Sequence, residues 1–206
     1  CDVACQDLLR RDSVQYSFDV SYLYKLGEGS RHLLRRRARY TIDEPAGDHP
    51  DHSDICHAAE RAYARMVAFI SGSRTPHLLR VWNYLDAITQ GDGDAERYRQ
   101  FCVGRARGLG RFDTTALPAA TAIGRCDGRR TLQVYWLSAD RRGTPVENPR
   151  QVSAYRYPRQ YGPQAPSFAR AMLPPPDGAM PLLLSGTASV VGHASQHVGE
   201  LLGQIG

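Results

Sequence analysis

The second half of the chain concentrates side chains that could bind a small acid. In the segment ENPRQVSAYRYPRQYGPQAPSFARA, residues 147–171, four prolines fix the backbone direction between arginines and tyrosines. Arginine donates paired hydrogen bonds to carboxylates, and tyrosine supplies a further donor and an aromatic wall. The candidate groups are Arg150, Arg156, Tyr157, Arg159, Tyr161 and Arg170. This mixture predicts a site for a planar acid.

The next unusual stretch is the small-residue segment SGTAS at positions 185–189. Gly186 and its neighbours remove side-chain bulk, which would let a ligand approach the backbone closely. A tight crossing of two strands would require the same residues. The sequence alone leaves both interpretations open.

Metal and nucleotide chemistry find little support. The five cysteines contain no CxxC pair, which favours reduced thiols in the cytoplasm over a disulfide framework. The spacing of Cys1 and Cys5, and that of His49, His52 and His57, does not match common metal sites. No P-loop, GxGxxG after a strand, HExxH or GxSxG motif occurs. The residues therefore favour neither a metal site nor a nucleotide cofactor nor serine hydrolysis.

The charge of the chain points to anionic partners. It has 26 basic and 21 acidic residues, a formal net charge of +5, and Lys25 as its single lysine. The run Arg35–Arg39 could contact phosphates, with Tyr40 available for stacking. No nucleic-acid-binding motif accompanies that run, so a solvated face is favoured and nucleic-acid binding is an alternative.

The elements that must position these groups follow from periodicity. With 206 residues, 42% of them hydrophobic, and no apolar run near 20 residues, the sequence predicts a soluble chain of one or two domains with no membrane span. Apolar residues at helical spacing predict a helix from about Ser53 to Ser71 and a second over 95–109. Strands are predicted over 77–88, 131–138, 153–157 and 182–191, a hairpin over 14–26, a polar loop over 43–54 and a final helix over 195–205.

This order of sheet, helix and sheet, followed by a partial second round, indicates an α+β chain of two related units. We expect an N-terminal unit over residues 1–140 and the start of a C-terminal unit over residues 141–206. Because a helix that begins near residue 195 leads into no further strand, we expect the second unit to be incomplete in this sequence.

Six blocks in this order resemble the chorismatase family. They are HLLRVWNYLDAI, ERYRQFCVGRA, PAATAIG, ENPRQVSAYRYPRQYGP, SFARA and SGTASVVGH. At positions 151 and 186 the residues Gln151 and Gly186 are similar to those of the branch that forms 3-hydroxybenzoate. This branch includes bifunctional enzymes of bacterial pigment biosynthesis that also release 4-hydroxybenzoate. The resemblance implies two RidA/YjgF-like, chorismate mutase-like units, a mixed sheet packed against helices.

The resemblance also implies a lyase that cleaves chorismate to 3-hydroxybenzoate and pyruvate without a cofactor. Gln151 and Gly186 would be the product-branch positions of the catalytic site, and the catalytic acid is expected beyond residue 206. The implied substrate-binding residues are Arg80, Asn83, Arg105, Tyr157, Tyr161 and Arg170. Trp82 is expected in the core rather than in the site.

Other function classes remain open at this stage. A RidA-like imine or enamine deaminase, or a small-ligand-binding regulator, could share the same sheet. The cysteine pattern predicts a cytoplasmic protein, and the resemblance implies that it acts on a small molecule. It could form a homo-oligomer, with a trimer as one possibility.

Overall fold

The central element is a four-stranded mixed sheet. The structure is a computed structural model that describes residues 36–43, 53–126, 131–176 and 180–205. The strands are β1 (Arg36–Asp43), β2 (His77–Asp86), β3 (Ala119–Arg125) and β4 (Thr131–Ala139). β4 pairs antiparallel with β1 and β2, whereas β2 and β3 are parallel. The basic run of the sequence therefore enters β1 at Arg36.

Two helices cover one face of this sheet. They are α1 (Ser53–Ser71) and α2 (Arg97–Leu109), and α2 lies in the crossover that joins the parallel strands β2 and β3. The predicted apolar face of α1 is confirmed, because its members are at most 7% exposed. These members are Ile55, Ala59, Ala62, Met66 and Ile70. They pack with Val81, Leu85, Leu132 and Val134 from the sheet.

The opposite face of the four-stranded sheet is covered only in part. A smaller sheet consists of β5 (Thr144–Val146), β6 (Ala171–Leu173) and β7 (Leu183–Leu184). Its Met172 packs with Leu79, Ala119 and Ala139 in a second hydrophobic cluster. The remainder of that face presents the side chains that alternate with the core positions.

The last described elements are short. A two-stranded hairpin pairs β8 (Val190–Val191) with β9 (Ala194–Ser195), and α3 spans Leu201–Ile205. Single 3₁₀ turns occupy Gly93–Ala95, Thr114–Ala116, Ala154–Arg156 and Arg159–Tyr161. Within the described ranges, no helix combines the length and the apolar character needed to cross a membrane.

Most predicted elements between residues 53 and 139 agree with the structure, and those predicted after residue 140 do not. The helices predicted at 53–71 and 95–109 and the strands predicted at 77–88 and 131–138 are confirmed to within two residues. β1, β3, β5, β6 and β9 were not predicted. The predicted hairpin at 14–26 and most of the predicted loop at 43–54 lie outside the described residues.

Three predicted elements are wrong in whole or in part. Ala154–Arg156 form a 3₁₀ turn rather than the strand predicted over 153–157, because the N–H groups of Arg156 and Tyr157 donate to the carbonyls three residues back, those of Ser153 and Ala154. The strand predicted over 182–191, with small residues interrupting it at 185–188, consists of the separate short strands β7 and β8, since Ser185 and Gly186 bond to the edge of β3 instead of continuing one regular ladder. The helix predicted from 195 begins only at Leu201, because Ala194–Ser195 pair in β9.

Gly104 and Gly108 of α2 allow the two helices to pack closely. A Cβ atom at Gly104 would lie 1.9 Å from the carbonyl oxygen of Cys56, and one at Gly108 would lie 2.4 Å from that of Glu60. Both obstacles are backbone atoms of α1. The short distance between the two helices thus requires glycine, which has no side chain, at these two positions.

We expect Gly104→Ala to destabilise the protein. Alanine favours a helix by about 1 kcal/mol over glycine, but overpacking against a backbone atom costs about 1–3 kcal/mol. The control is Gly72→Ala, whose Cβ would lie 3.7 Å from the Ala68 oxygen, an ordinary contact. Thermal and urea unfolding measure both variants. Equal stability of the two variants would contradict the packing role of Gly104.

Candidate functional site

The second half of the chain attaches to the sheet at the exposed edge of β3. The hydroxyl of Ser185 donates to the Ala169 carbonyl at 2.6 Å and accepts the Ala120 N–H at 2.8 Å. The Ser185 N–H donates to the Arg170 carbonyl at 2.9 Å. Because Ser185 is only 7% exposed, these bonds form in a protected environment. They place Arg170 and Gly186 beside the same strand edge.

Gly186 lies directly against Thr121 of β3. Its N–H donates to the Thr121 hydroxyl at 2.8 Å and also approaches the Ala120 carbonyl at 3.3 Å. A Cβ at position 186 would come within 2.8 Å of Thr121 Cγ2. Of the two interpretations that the sequence left open, the close packing against β3 is therefore present, and Gly186 is also exposed on its other side.

Arg80 is a buried cation beside Thr121. It is 5% exposed, donates from Nη1 to the Val81 carbonyl at 2.7 Å, and donates from Nη2 to the Thr121 hydroxyl. Its guanidinium carbon lies 4.8 Å from the Trp82 ring centre. Burial lowers the pKa of Arg80 to about 10, so the group stays charged at neutral pH. Among the described residues it forms no ion pair with a carboxylate.

Arg170 organises the predicted tyrosines. Its Nη2 atom donates to the Tyr157 hydroxyl at 2.7 Å and to the Val152 carbonyl at 3.0 Å. Its Nε atom is buried and has no hydrogen-bond partner among the described residues. The guanidinium carbon lies 5.5 Å from the Tyr157 ring centre. Arg170 is thus held in place by two oxygens while one donor remains available.

Tyr161 continues this cluster toward the surface. Its ring centre lies 5.3 Å from that of Tyr157, and its hydroxyl is 3.0 Å from Nδ1 of His193. The turn that carries Tyr161 is tied to the loop before α2, because Arg159 Nη1 donates to Asp94 Oδ1 at 2.8 Å. That ion pair lowers the pKa of Asp94, so the tie is complete at neutral pH.

Gln151 precedes Val152, whose carbonyl accepts a hydrogen bond from Arg170. Its side-chain amide donates to the Val190 carbonyl at 3.2 Å, and its backbone bridges to Gly192. It therefore joins the tyrosine segment to the β8–β9 hairpin, next to the Val152 carbonyl that Arg170 contacts. The structure places Gln151 near Arg170 but directs its amide to the backbone.

A cavity of about 310 Å³ adjoins Gly186 and Thr121. This volume is at the lower end of the range of about 300–1,000 Å³ that is usual for small-molecule sites. Arg105 lines it, is 4% exposed, donates to the Ser167 carbonyl at 2.8 Å, and has a buried Nε without a partner among the described residues. Glu96, also in the lining, is ion-paired with Arg99 at 3.0 Å.

Of the predicted site residues, Arg105 and Gly186 line this cavity, whereas Arg80, Gln151, Tyr157, Tyr161 and Arg170 do not. Two further residues from the sequence analysis are turned away from this region. Asn83 is turned toward α1, where its amide oxygen accepts the Tyr63 hydroxyl at 2.7 Å and its amide nitrogen donates to the Thr121 carbonyl at 3.0 Å. It lines neither cavity described here and supports β3 from the core. Trp82, expected in the core, is only partly buried and lines a wider cavity of about 780 Å³ on the uncovered sheet face.

Three residues of this region were missed by sequence reasoning. The Thr121 hydroxyl accepts hydrogen bonds from Arg80 and Gly186, and Ser185 bonds to the backbones of Ala120 and Arg170. His193 contacts the Tyr161 hydroxyl. Their signals were present in the blocks PAATAIG and SGTASVVGH, where a hydroxyl or an imidazole interrupts small residues. In the portion of the chain that the structure describes, no three His, Cys, Asp or Glu side chains cluster as metal ligands.

Comparison with known proteins gives consistent results. Residues 37–138 match the family model "Chorismatase FkbO/Hyg5-like, N-terminal". The chain is 34% identical over 203 residues to a 3-hydroxybenzoate synthase of Streptomyces hygroscopicus, covering 94% of this chain and 53% of that protein. It is 43% identical over 133 residues to a chorismatase of the same species, covering 63% of this chain and 38% of the relative.

A solved structure agrees with these sequence relatives. A crystal structure of a chorismatase superposes with a TM-score of 0.69 at 32% identity, over 85% of this chain and 53% of that chain. This match supports the mixed α+β fold. The chain spans about half the length, or less, of the relatives it matches. These matches place the chain in the FkbO/Hyg5-like chorismatase family.

Proposed function

We propose that the protein to which this chain belongs cleaves chorismate to pyruvate and 3-hydroxybenzoate. The observation that carries the proposal is a pair of buried arginines next to Thr121 and Gly186, Arg80 and Arg105, that have no acidic partner among the described residues. Arg80 and Arg105 are each at most 5% exposed. Buried cations are stable when an anion compensates them, and chorismate carries two carboxylates.

The available donors suit a dicarboxylate. Arg105 and Arg170 each have a buried Nε atom without a partner among the described residues. In both residues another guanidinium nitrogen is already fixed on a backbone carbonyl, so the free N–H is oriented before ligand arrives. Such preorganised, charge-assisted bonds bind a carboxylate strongly because little freedom is lost.

The remaining groups would orient the ring and its ether. Tyr157 and Tyr161 form an aromatic wall beside Arg170. Chorismate cleavage needs a general acid that protonates the enolpyruvyl methylene while the ring carbon–oxygen bond breaks and pyruvate departs. The neighbouring ring hydroxyl then attacks the vacated carbon, and the resulting arene oxide opens to 3-hydroxybenzoate. The residues described here bind and orient the substrate in this scheme.

The names of the relatives favour this function over the other classes considered. They are called chorismatase and 3-hydroxybenzoate synthase, which favours neither a RidA-like deaminase nor a regulator. Within the proposal, residues 1–140 form one RidA-like unit and residues 141–206 begin a second. A trimer that shares sites between subunits is compatible with such units.

The first prediction concerns turnover by the full-length protein. Incubation with chorismate should release 3-hydroxybenzoate, and pyruvate in an amount equal to the sum of the aromatic products, because each cleaved substrate molecule yields one pyruvate. Chromatography of the aromatic product and a coupled pyruvate assay measure them. Chorismate that stays intact in the presence of protein shown to be folded by circular dichroism would contradict the proposal.

The second prediction concerns Arg170. Arg170→Gln should raise KM for chorismate roughly tenfold to a hundredfold, since a charge-assisted hydrogen bond contributes about 1.5–3 kcal/mol. Arg111→Gln is the matched control, because Arg111 is exposed and lies outside the described site. Steady-state kinetics and a melting curve are needed for each variant. If Arg170→Gln keeps the wild-type KM, Arg170 does not bind the substrate.

A further inference from the structure

Thr121 stands between the small residue at position 186 and the buried Arg80. Its hydroxyl oxygen accepts a hydrogen bond from the Gly186 N–H at 2.8 Å and another from Arg80 Nη2. Both lone pairs of this hydroxyl are thus engaged. The Thr121 methyl group occupies the space that a Cβ at position 186 would enter, at 2.8 Å.

The backbone of Thr121 has little freedom to move away. Its carbonyl accepts the Asn83 amide at 3.0 Å, and Asn83 is in turn fixed by the Tyr63 hydroxyl in the helix-covered core. Thr121 is also paired in the parallel register of β2 and β3. A steric conflict at position 186 would therefore be relieved by rotation of the Thr121 side chain.

Such a rotation would change the environment of Arg80. Among the described residues, this 5% exposed guanidinium donates to the Thr121 hydroxyl and to the Val81 carbonyl. Because an unsatisfied buried charge is costly, Arg80 would reorient to find another acceptor. Its stacking on Trp82 would change with it.

We propose that Thr121 is a positioning residue that couples the side chain at position 186 to the orientation of Arg80. On this basis, which rests on the proposed function, an alanine at 186 alters product choice through Thr121 and Arg80 rather than by touching the ligand alone. Gly186 leaves Thr121 in the rotamer that holds Arg80 toward one substrate carboxylate. Thr121 is thus a specificity-determining residue for the cleavage.

The coupling is tested first without substrate. In the full-length protein, Gly186→Ala should lower the melting temperature, and Thr121→Ser should recover most of that loss because it removes the obstructing methyl and keeps the hydroxyl. Thr121→Ser alone serves as the reference for the double variant. Strictly additive shifts of the two substitutions would overturn the steric coupling, whatever the protein catalyses.

The functional arm uses Thr121→Val, which keeps the methyl shape and removes the acceptor. It should shift the ratio of 3-hydroxybenzoate to other products, or KM for chorismate, roughly fivefold in the direction of Gly186→Ala, the effect of one lost hydrogen bond. Thr144→Val, on the exposed strand β5, is the matched control. When Thr121→Ser is added to the Gly186→Ala variant, the double variant should return to the wild-type product ratio.

The possible outcomes separate the two proposals. If Gly186→Ala changes the products while Thr121→Val leaves both product ratio and KM at wild-type values, alanine acts on the ligand directly and the role of Thr121 is refuted. If wild-type protein does not cleave chorismate, the proposed function fails, and the melting-temperature comparison still decides whether positions 121 and 186 are coupled.

Discussion

The hydrogen bonds of the Ser185 hydroxyl attach the last part of the described chain to the four-stranded sheet. With 7% exposure Ser185 accepts from the Ala120 N–H and donates to the Ala169 carbonyl, so one side chain completes the edge of β3 and fixes the segment before Arg170. An unpaired strand edge must be satisfied in some way, and here a hydroxyl replaces a regular ladder. Arg170 and Gly186 both lie beside the edge of β3, because the Arg170 carbonyl accepts the Ser185 N–H and the Gly186 N–H donates to the Ala120 carbonyl.

The place where the last part of the described chain attaches to the sheet carries unpaired positive charge. Arg80, Arg105 and Arg170 lie along the seam between the sheet and the attached segment, and none has a carboxylate partner among the described residues. Glu96, which lines the cavity with Arg105, is already ion-paired with Arg99. The charge left over is positive and partly desolvated, which strengthens its interaction with an anion. Backbone carbonyls and the hydroxyls of Thr121 and Tyr157 hold the guanidinium groups without neutralising them.

The degree of predictability differs between the two halves for a physical reason. The buried face of α1 repeats every three or four residues, and β4 alternates, so local periodicity was enough to locate both elements. The segment over 150–195 is held by single long-range bonds, such as Gln151 to Val190 and Ser185 to Ala120, which leave no periodic trace. Its 3₁₀ turn and interrupted strands were therefore predicted wrongly. Gly186 was identified as special, but Thr121, the residue it packs against, was not.

The sequence by itself determined which side chains are available: an almost lysine-free set of cations, clustered tyrosines and a run of small residues. These types indicate a small-acid site because their chemistry does not depend on the fold. The tertiary structure decided which of them meet. It turned Asn83 into the core, brought Trp82 out beneath Arg80, and set Thr121 between Arg80 and Gly186. Such pairings depend on strand register and on contacts between residues some 40 to 65 positions apart, which no local pattern encodes.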